Sequence, residues 1–554
     1  MVEESSNIKR KTKIIVTLGE SSSSKGVLVE LIKAGMDVAR ISNRFLKGEK
    51  QDVLINLQEA IKETGIHVGV MLGLRESDIR IGTFGKSPLR LKKNDLVRIS
   101  THAEQSEINC TLWCNNKEFS SMVTPGDKLL VDFGKIILTV LSNESSDSES
   151  YSFSRSFTSI ASQDLNLDID SSKSGNIMYM LNSTQKIESS LKRQKTNSFN
   201  ENLLRPKRIT PKNHRGAKIV MCRVENDCTI TVHKPVHISS SDGHEIPTSD
   251  ATVSEDFKLI EWANENNVDF IVFKQVRNEE DLGFLMDLAS SNIKKFLGLQ
   301  NKGTVTQFEK LITETDGVVI GRGTLALETS LADVCRIQKK TVKRCNELGK
   351  PVIISTQLLE SMVFHNTPTR SEVTDITNAV LDGTDALMLS GETAYGHDPV
   401  RAFNACARIC IEAEKYLDCQ GECERIKKLL GNNITITENT CYSAVTTVLS
   451  THAKVIVCLT ESGRTAQIIS RFMPPCAIVS LTNSEVTERQ MRIIRGVYPF
   501  FVKETQESEL KDRIFEIVKT GNFAEVGDNI VVVGGLLYNF AAGHTCSLKI
   551  LVVK

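Results

Sequence analysis

Residues 350–401 constrain the fold of this chain more than any other stretch. Residues 351–355 form an apolar, β-branched run of strand length that ends on polar Thr356 and Gln357. Pro368 then sets up a turn, and Val373, Ile376, Val380 and Leu381 fall at helical spacing across residues 372–382. Gly383 punctuates, residues 386–389 read as a second short buried strand, and residues 390–393 as a polar turn containing glycine. Short apolar strands alternating with polar loops and amphipathic helices are the pattern of parallel βα units. In such units the polar groups at the carboxyl ends of the strands gather at one pole, where ligands bind. Thr356 and residues 390–393 are expected at that pole.

The chain has 554 residues, and domains of about 100–250 residues predict three or so of them. Lys plus Arg and Asp plus Glu number 68 each, so no global field favours nucleic acid or an acidic membrane surface. The 14 cysteines are scattered through apolar and helical stretches. Cys110/Cys114, Cys406/Cys410 and Cys419/Cys423 are spaced like helix neighbours, with no CxxC pair or matching His set. Buried or free thiols in a reducing compartment are the reading, in preference to zinc or disulfides. The start, MVEESSNIKRK, lacks the apolar core of a signal peptide, and no later run is long enough to span a bilayer. A cytoplasmic protein is expected.

Along the chain, residues 13–18, 36–41 and 67–72 read as strands, with helices at 27–33 and 53–62. From about residue 81 to 245 strand-like pieces (96–100, 128–131, 136–141, 218–224) follow one another without helices, as in an inserted β lid. Residues 142–216 inside it are rich in Ser, Asn, Asp and Lys. Low hydrophobicity predicts that most of this segment cannot offset its ordering entropy. Its basic end, 191–208, is read as a solvated insertion rather than a phosphorylation, docking or nuclear-import segment, because charge runs alone are weak evidence. Strands resume at 269–273, 295–299, 317–320, 351–355 and 386–389, which with the first three make eight, the number of a (β/α)₈ barrel. After residue 414 a charged helical stretch leads to a last α/β domain, with strands at 453–459, 476–481 and 529–533 and a helix at 466–472. The loop before that helix, Thr460, Glu461, Ser462, Gly463, Arg464 and Thr465, is either a phosphate cradle or an ordinary helix cap.

The runs TQLLESM, PTRSE and DALMLSGETAYG closely resemble those of pyruvate kinases. KTKIIVTLGE and AGMDVARIS are similar to the family's first two barrel strands, and CLTESGRTA to its C-terminal regulatory loop. The resemblance covers most of the chain except roughly residues 142–216. It implies a TIM (β/α)₈ barrel with an inserted β-barrel-like lid and a C-terminal α/β domain. The resulting division is 1–80 and 246–415 for the barrel, 81–245 for the lid and 416–554 for the last domain. It also implies phosphoryl transfer from phosphoenolpyruvate to ADP in glycolysis, Mg²⁺ and K⁺ as cofactors, and tetramers.

By the same resemblance Arg40 matches the family's phosphate-contacting arginine, Arg80 its nucleotide-side arginine and Lys234 its lid lysine. Gly323 and Thr356 match positions near the substrate carboxylate. Other positions depart. The family's K-I-E-N-H-E reads Gly298, Leu299, Gln300, Asn301, Lys302, Gly303, so its lysine becomes Gly298 and its metal-binding glutamate Gln300. Its A-R-G-D-L-G reads residues 321–326 with Thr324 in place of the second metal carboxylate. Its monovalent-cation ligands become Ser42, Arg44, Gly73 and Leu74, so bound K⁺ is not expected, and Arg44 is read as a fixed charge in its stead. In the lid, Val131-Asp132-Phe133-Gly134 lacks a second carboxylate. Glu461 in the effector loop (Thr460, Ser462, Gly463, Arg464, Thr465) repels a sugar bisphosphate, and residues 534–538 lack the family's Trp-Arg pattern, which disfavours control by fructose bisphosphate.

A transfer of a highly charged group needs positioned cations and donors more than covalent chemistry. With two metal carboxylates and the lysine gone, this chain is read as a family member of weak or absent catalysis that keeps the fold and anion binding. The alternatives are an active pyruvate kinase with a remodelled metal site, and a structural or regulatory subunit. In each case the partners would be phosphoenolpyruvate- or ADP-like anions and copies of itself or homologous pyruvate kinases, with neither nucleic acid nor membrane.

Overall fold

The computed structural model describes residues 9–41, 49–74, 79–83, 89–101, 111–116, 119–132, 134–145, 218–230, 234–239, 250–431, 434–503, 507–535 and 545–554. Eight strands close into a parallel barrel: Lys13–Leu18, Val38–Ile41, Gly69–Gly73, Phe270–Phe273, Lys294–Leu299, Gly317–Gly321, Val352–Ser355 and Ala386–Leu389, each paired with the next and the last with the first. Successive residues face opposite sides of a strand. Ile14, Val16 and Leu18 accordingly pack outward against the helices. Ile15, Met71, Phe270, Val272, Phe296 and Met388 cluster with the barrel floor and the C-terminal domain. Phe270 and Phe296 meet there edge to face at 5.8 Å between centroids.

The barrel helices are set by local signals. Arg370–Leu381 opens on a capping box, in which the Thr369 hydroxyl accepts from the Glu372 amide at 3.3 Å and the Glu372 carboxylate accepts from the Thr369 amide at 2.7 Å. Glu372 also accepts from the Ser361 amide at 2.8 Å, so one carboxylate starts the helix and fastens the preceding loop. Burial opposes its ionisation, but the Ser361 and Thr369 donors outweigh that and hold its carboxyl below the usual range. Thr369→Ala should lower stability by about 0.5–2 kcal/mol, read as a shift in the urea midpoint; an unchanged midpoint would show that Glu372 alone sustains this end.

Between the third and fourth barrel strands, seven more strands close a second, smaller barrel in the order Lys218–Val224, Leu96–Ser100, Thr111–Cys114, Arg80–Gly82, Lys234–Ser239, Lys128–Val131, Ile136–Ser145. The last strand outruns its expected end at 141, and Ser145 stands opposite Lys218. The chain thus leaves and re-enters the lid at adjacent residues of one hairpin, and most of the 142–216 segment lies outside the described residues. Two further readings are corrected here. The lid contains a short helix, Phe119–Met122, and Cys114 lies on a strand, whereas Cys406/Cys410 and Cys419/Cys423 do share helices. The C-terminal sheet is five-stranded, ordered Val497–Phe501, Ala477–Thr482, Val455–Leu459, Asn529–Gly534, Ser547–Val552, with only the last pair antiparallel. Among the described residues no helix is long and apolar enough to cross a membrane.

Candidate active site at the barrel mouth

The carboxyl ends of the barrel strands bring together residues from six stretches of sequence. Arg40 sits in the Val38–Ile41 strand, and its Nη1 donates to the Thr17 hydroxyl at 3.2 Å, across to the first strand. Gly73 ends the third strand and Gly298 lies near the end of the fifth. Leu74 is buried beside Gly73 and donates its amide to Val272 O at 3.0 Å. Ser42 and Arg44 lie outside the described residues.

Gly323 and Thr356, far apart in sequence, touch: the Gly323 amide donates to the Thr356 hydroxyl at 2.8 Å. Thr356 and Gln357 both have positive φ, 69° and 54°. That region is unfavourable for a β-branched side chain and persists only when the surroundings enforce it. Arg322 does so. Its Nη2 donates to Thr356 O at 2.8 Å and Gln357 O at 2.9 Å, while Nη1 donates to Asp375 Oδ1 at 2.8 Å. The strained loop is therefore clamped by a guanidinium whose fork matches two carbonyls and a carboxylate. Sequence reasoning named the neighbours of Arg322 and missed its role; the only signal was an arginine between two glycines after a strand. Residues 390–393, expected as a turn, form one helical turn, Gly391–Ala394, whose Glu392 accepts from the Leu359 and Ser390 amides at 3.0 and 2.7 Å. That carboxylate is committed to holding the loops.

At the positions that the family resemblance assigns to a divalent ion stand Gln300 and Thr324. Gln300 is 5% exposed, and its Oε1 is buried without a hydrogen-bond partner among the described residues. Thr324 is half-buried in the short helix Arg322–Glu328. A buried orphan oxygen is a vacancy for a donor or a cation. Mg²⁺, however, takes hard oxygens including one or two carboxylates, and this pair offers a neutral amide and a hydroxyl. These residues do not fit a resident divalent ion.

Arg80 begins a lid strand rather than following a barrel strand; its amide donates to Asn115 Oδ1 at 2.7 Å. Lys234 lies on the adjacent antiparallel strand, with Lys234 opposite Ile81 and Pro235 opposite Arg80, so the two expected nucleotide-side cations are neighbours. Lys234 Nζ donates to Asp132 Oδ2 at 3.1 Å. Lys135 approaches Glu360 at 4.0 Å and so reaches from the lid to the barrel mouth. Burial, reinforced by Glu392 and opposed by Lys135, pushes the Glu360 carboxyl above its ordinary value. In the lid, burial lowers the His237 pKa against the pull of Glu328.

In the C-terminal loop the Thr460 hydroxyl accepts from the Gly463 amide at 3.0 Å, and Thr465 Oγ1 pairs with Thr545 Oγ1 at 2.8 Å. Gly463, at φ 79°, turns the chain into the helix Arg464–Arg471. Two hydroxyls of the candidate phosphate cradle are thus used within the fold, and Ser462 and Arg464 stay exposed. Of the closing loop, 536–538 lie outside the described residues.

The family model described as pyruvate kinase, barrel domain, matches residues 9–167 and 208–403, and the one described as pyruvate kinase, alpha/beta domain, matches residues 438–551. The break at 168–207 falls inside the polar insertion. A pyruvate kinase of Eimeria tenella is 29% identical over 562 residues, spanning 98% of this chain and 90% of that protein. The cytosolic pyruvate kinase isozyme of Glycine max is 31% identical over 510 residues, spanning 88% and 85%. The crystal structure of a pyruvate kinase from Cryptosporidium parvum superposes with a TM-score of 0.72 at 26% identity, covering 98% of this chain and 96% of that one. Both barrels, the C-terminal sheet and near full-length similarity agree: the chain belongs to the pyruvate kinase family.

Proposed function

We infer that the barrel mouth binds a phosphoenolpyruvate-like anion and that phosphoryl transfer to ADP is weak or absent. One observation carries this reading: the divalent-ion positions hold Gln300, with a buried unpartnered Oε1, and Thr324. In the family's chemistry a divalent ion would supply positive charge toward the phosphoryl group, and Gln300 and Thr324 do not suit one. What this chain's own residues do is bind and orient. Arg40, steadied by Thr17, faces the phosphate, and the Gly323–Thr356 contact, fixed by Arg322, shapes the carboxylate end. Lys234 and Arg80 stand on neighbouring lid strands for the nucleotide side.

A coupled assay for pyruvate with Mg²⁺ or Mn²⁺, with and without K⁺, run beside the Glycine max isozyme, tests this. Loss of a single electrostatic donor is worth about 10²–10³ in rate, so turnover more than a hundredfold below the isozyme is expected. Turnover within tenfold of it rejects the reading. A second role, assembly with homologous pyruvate kinases, draws support from large apolar side chains left exposed on the barrel, Leu331 at 81% and Phe364 at 80%. Co-purification of a homologue with the tagged chain supports that role, and a strictly self-associating protein opposes it.

A further inference from the structure

Lys274 is the first residue after the Phe270–Phe273 strand. That strand lies between two others, Gly69–Gly73 and Lys294–Leu299, and each carries a glycine beside Lys274. On one side, a Cβ placed on Gly298 would lie 3.0 Å from Lys274 Cα and 3.4 Å from its Cγ, as well as 2.9 Å from Phe273 O. On the other, a Cβ placed on Gly73 would lie 3.2 Å from Lys274 Cε and 3.2 Å from Arg40 Nη2. The lysine stem therefore starts against one glycine and runs its far end over the other. A side chain at Gly73 would crowd the end of that stem, and one at Gly298 would press on the backbone at its root.

The second pair of distances also locates the charges. Lys274 Cε and Arg40 Nη2 approach one point, so they cannot be further apart than twice 3.2 Å. Lys274 is only 6% exposed. An ammonium and a guanidinium this close can both donate charge-assisted hydrogen bonds to one shared anion. A phosphate group is of the size to bridge them, and Arg40 is already the residue read as its contact.

We propose that Lys274 is the phosphate-binding lysine of this chain: its ammonium, reaching across Gly73 to Arg40, supplies from the neighbouring strand the positive charge that position 298 does not. Gly73 leaves room for the far end of the Lys274 stem, and Gly298 lets its strand lie close against the backbone from which that stem starts. The inference rests on the reading that the mouth binds a phosphoenolpyruvate-like anion.

Titration calorimetry of the full chain tests it with phosphoenolpyruvate, inorganic phosphate and oxalate as probes. Lys274→Met should weaken phosphoenolpyruvate and phosphate about tenfold to a hundredfold, the range for a hydrogen bond to a charged group. Oxalate, which has no phosphoryl group, should change less. Lys274→Arg should retain binding within a few-fold, which a merely structural lysine would not predict. Unfolding midpoints establish that each variant is folded, and Lys274→Gln carries the same comparison should Lys274→Met not fold. Unchanged phosphoenolpyruvate affinity in the neutral variants overturns the assignment and leaves the anion site standing. Equal losses for oxalate overturn the phosphoryl contact. A wild-type chain that binds neither phosphoenolpyruvate nor phosphate overturns the anion site and this proposal with it.

Discussion

Gln300→Glu combined with Thr324→Asp should tighten Mg²⁺ binding by on the order of 10²–10³-fold, because the number of charged ligands sets the affinity of oxygen sites for hard divalent cations. The first change is isosteric, which matters here: Gln300 packs closely against Gly321, where even an added Cβ would come within 2.7 Å of the Gln300 Cγ and Nε2. Without metal the double variant should be less stable than the parent, since Gln300 is 5% exposed and a carboxylate there is buried without a partner. Adding Mg²⁺ should therefore raise its melting temperature, and a ligand that binds only the folded state stabilises by RT ln(1 + [L]/Kd). The parent should respond little over the same titration. Identical Mg²⁺ responses in the two proteins would overturn the reading that carboxylates are what a divalent ion needs at these two positions. Gln300→Glu alone should show the same kind of apo destabilisation as the double variant but a smaller metal response, which separates burial of charge from coordination.

The second large effect is on stability and lies at the opposite end of the barrel. Asp37 Oδ2 accepts from Arg10 Nη2 and from the Ile14 amide, both at 2.9 Å, and Oδ1 lies 3.3 Å from Lys13 Nζ. Lys13 is itself stacked 4.4 Å from the centre of the Tyr498 ring, so this carboxylate ties the amino-terminal segment, the barrel floor and the C-terminal sheet into one knot. The side chains of Lys13 and Asp37 are 2% and 11% exposed. Asp37→Asn keeps an acceptor for the amide but leaves two buried cations without their counter-charge. Removing one partner of a buried pair costs about 3–5 kcal/mol, and that loss is expected in the urea midpoint at pH 7. Burial opposes ionisation of Asp37, but Lys13, Arg10 and the Ile14 amide outweigh it and hold its carboxyl below the ordinary range. A carboxyl with a depressed folded-state pKa contributes stability in full above its unfolded value of about 3.9, and loses it as pH falls through the folded value. The gap between wild type and Asp37→Asn should therefore be widest near neutrality and close on acidification below about pH 4. A gap that stays constant from pH 7 to pH 3 would mean that lost packing, not charge, sets the difference.

The barrel strands were legible because each is a short run apolar on both faces, and that pattern is local: 386–389 was read with its observed ends, and 295–299 and 317–320 to within a residue. The lid was legible only in outline. Arg80–Gly82, Leu89–Leu91 and Cys228–Ile230 are three residues each, too short to express a period of two. Cys110 and Cys114 show the same limit, because a four-residue spacing suits a helix but does not require one, and pairing with Leu96–Ser100 and Arg80–Gly82 decided the matter for Cys114. At the mouth, the departures at Gly298, Gln300 and Thr324 were visible in sequence because they interrupt motifs whose other members are present.

By itself the sequence determined the barrel strands, the presence of a lid and a third domain, and which motif positions have changed. Tertiary structure alone decided what those changes mean to each other. Gly73 and Gly298 lie on strands that flank the one Lys274 follows, and only strand pairing in the barrel lays the three side by side. Arg322 clamps Thr356 and Gln357 from the first residue of the helix that follows another barrel strand, and Asp37 gathers Arg10, Lys13 and Ile14. Periodicity is a property of neighbours along the chain and so can be read there. Convergence of side chains is a property of closed topology, and no local pattern records it.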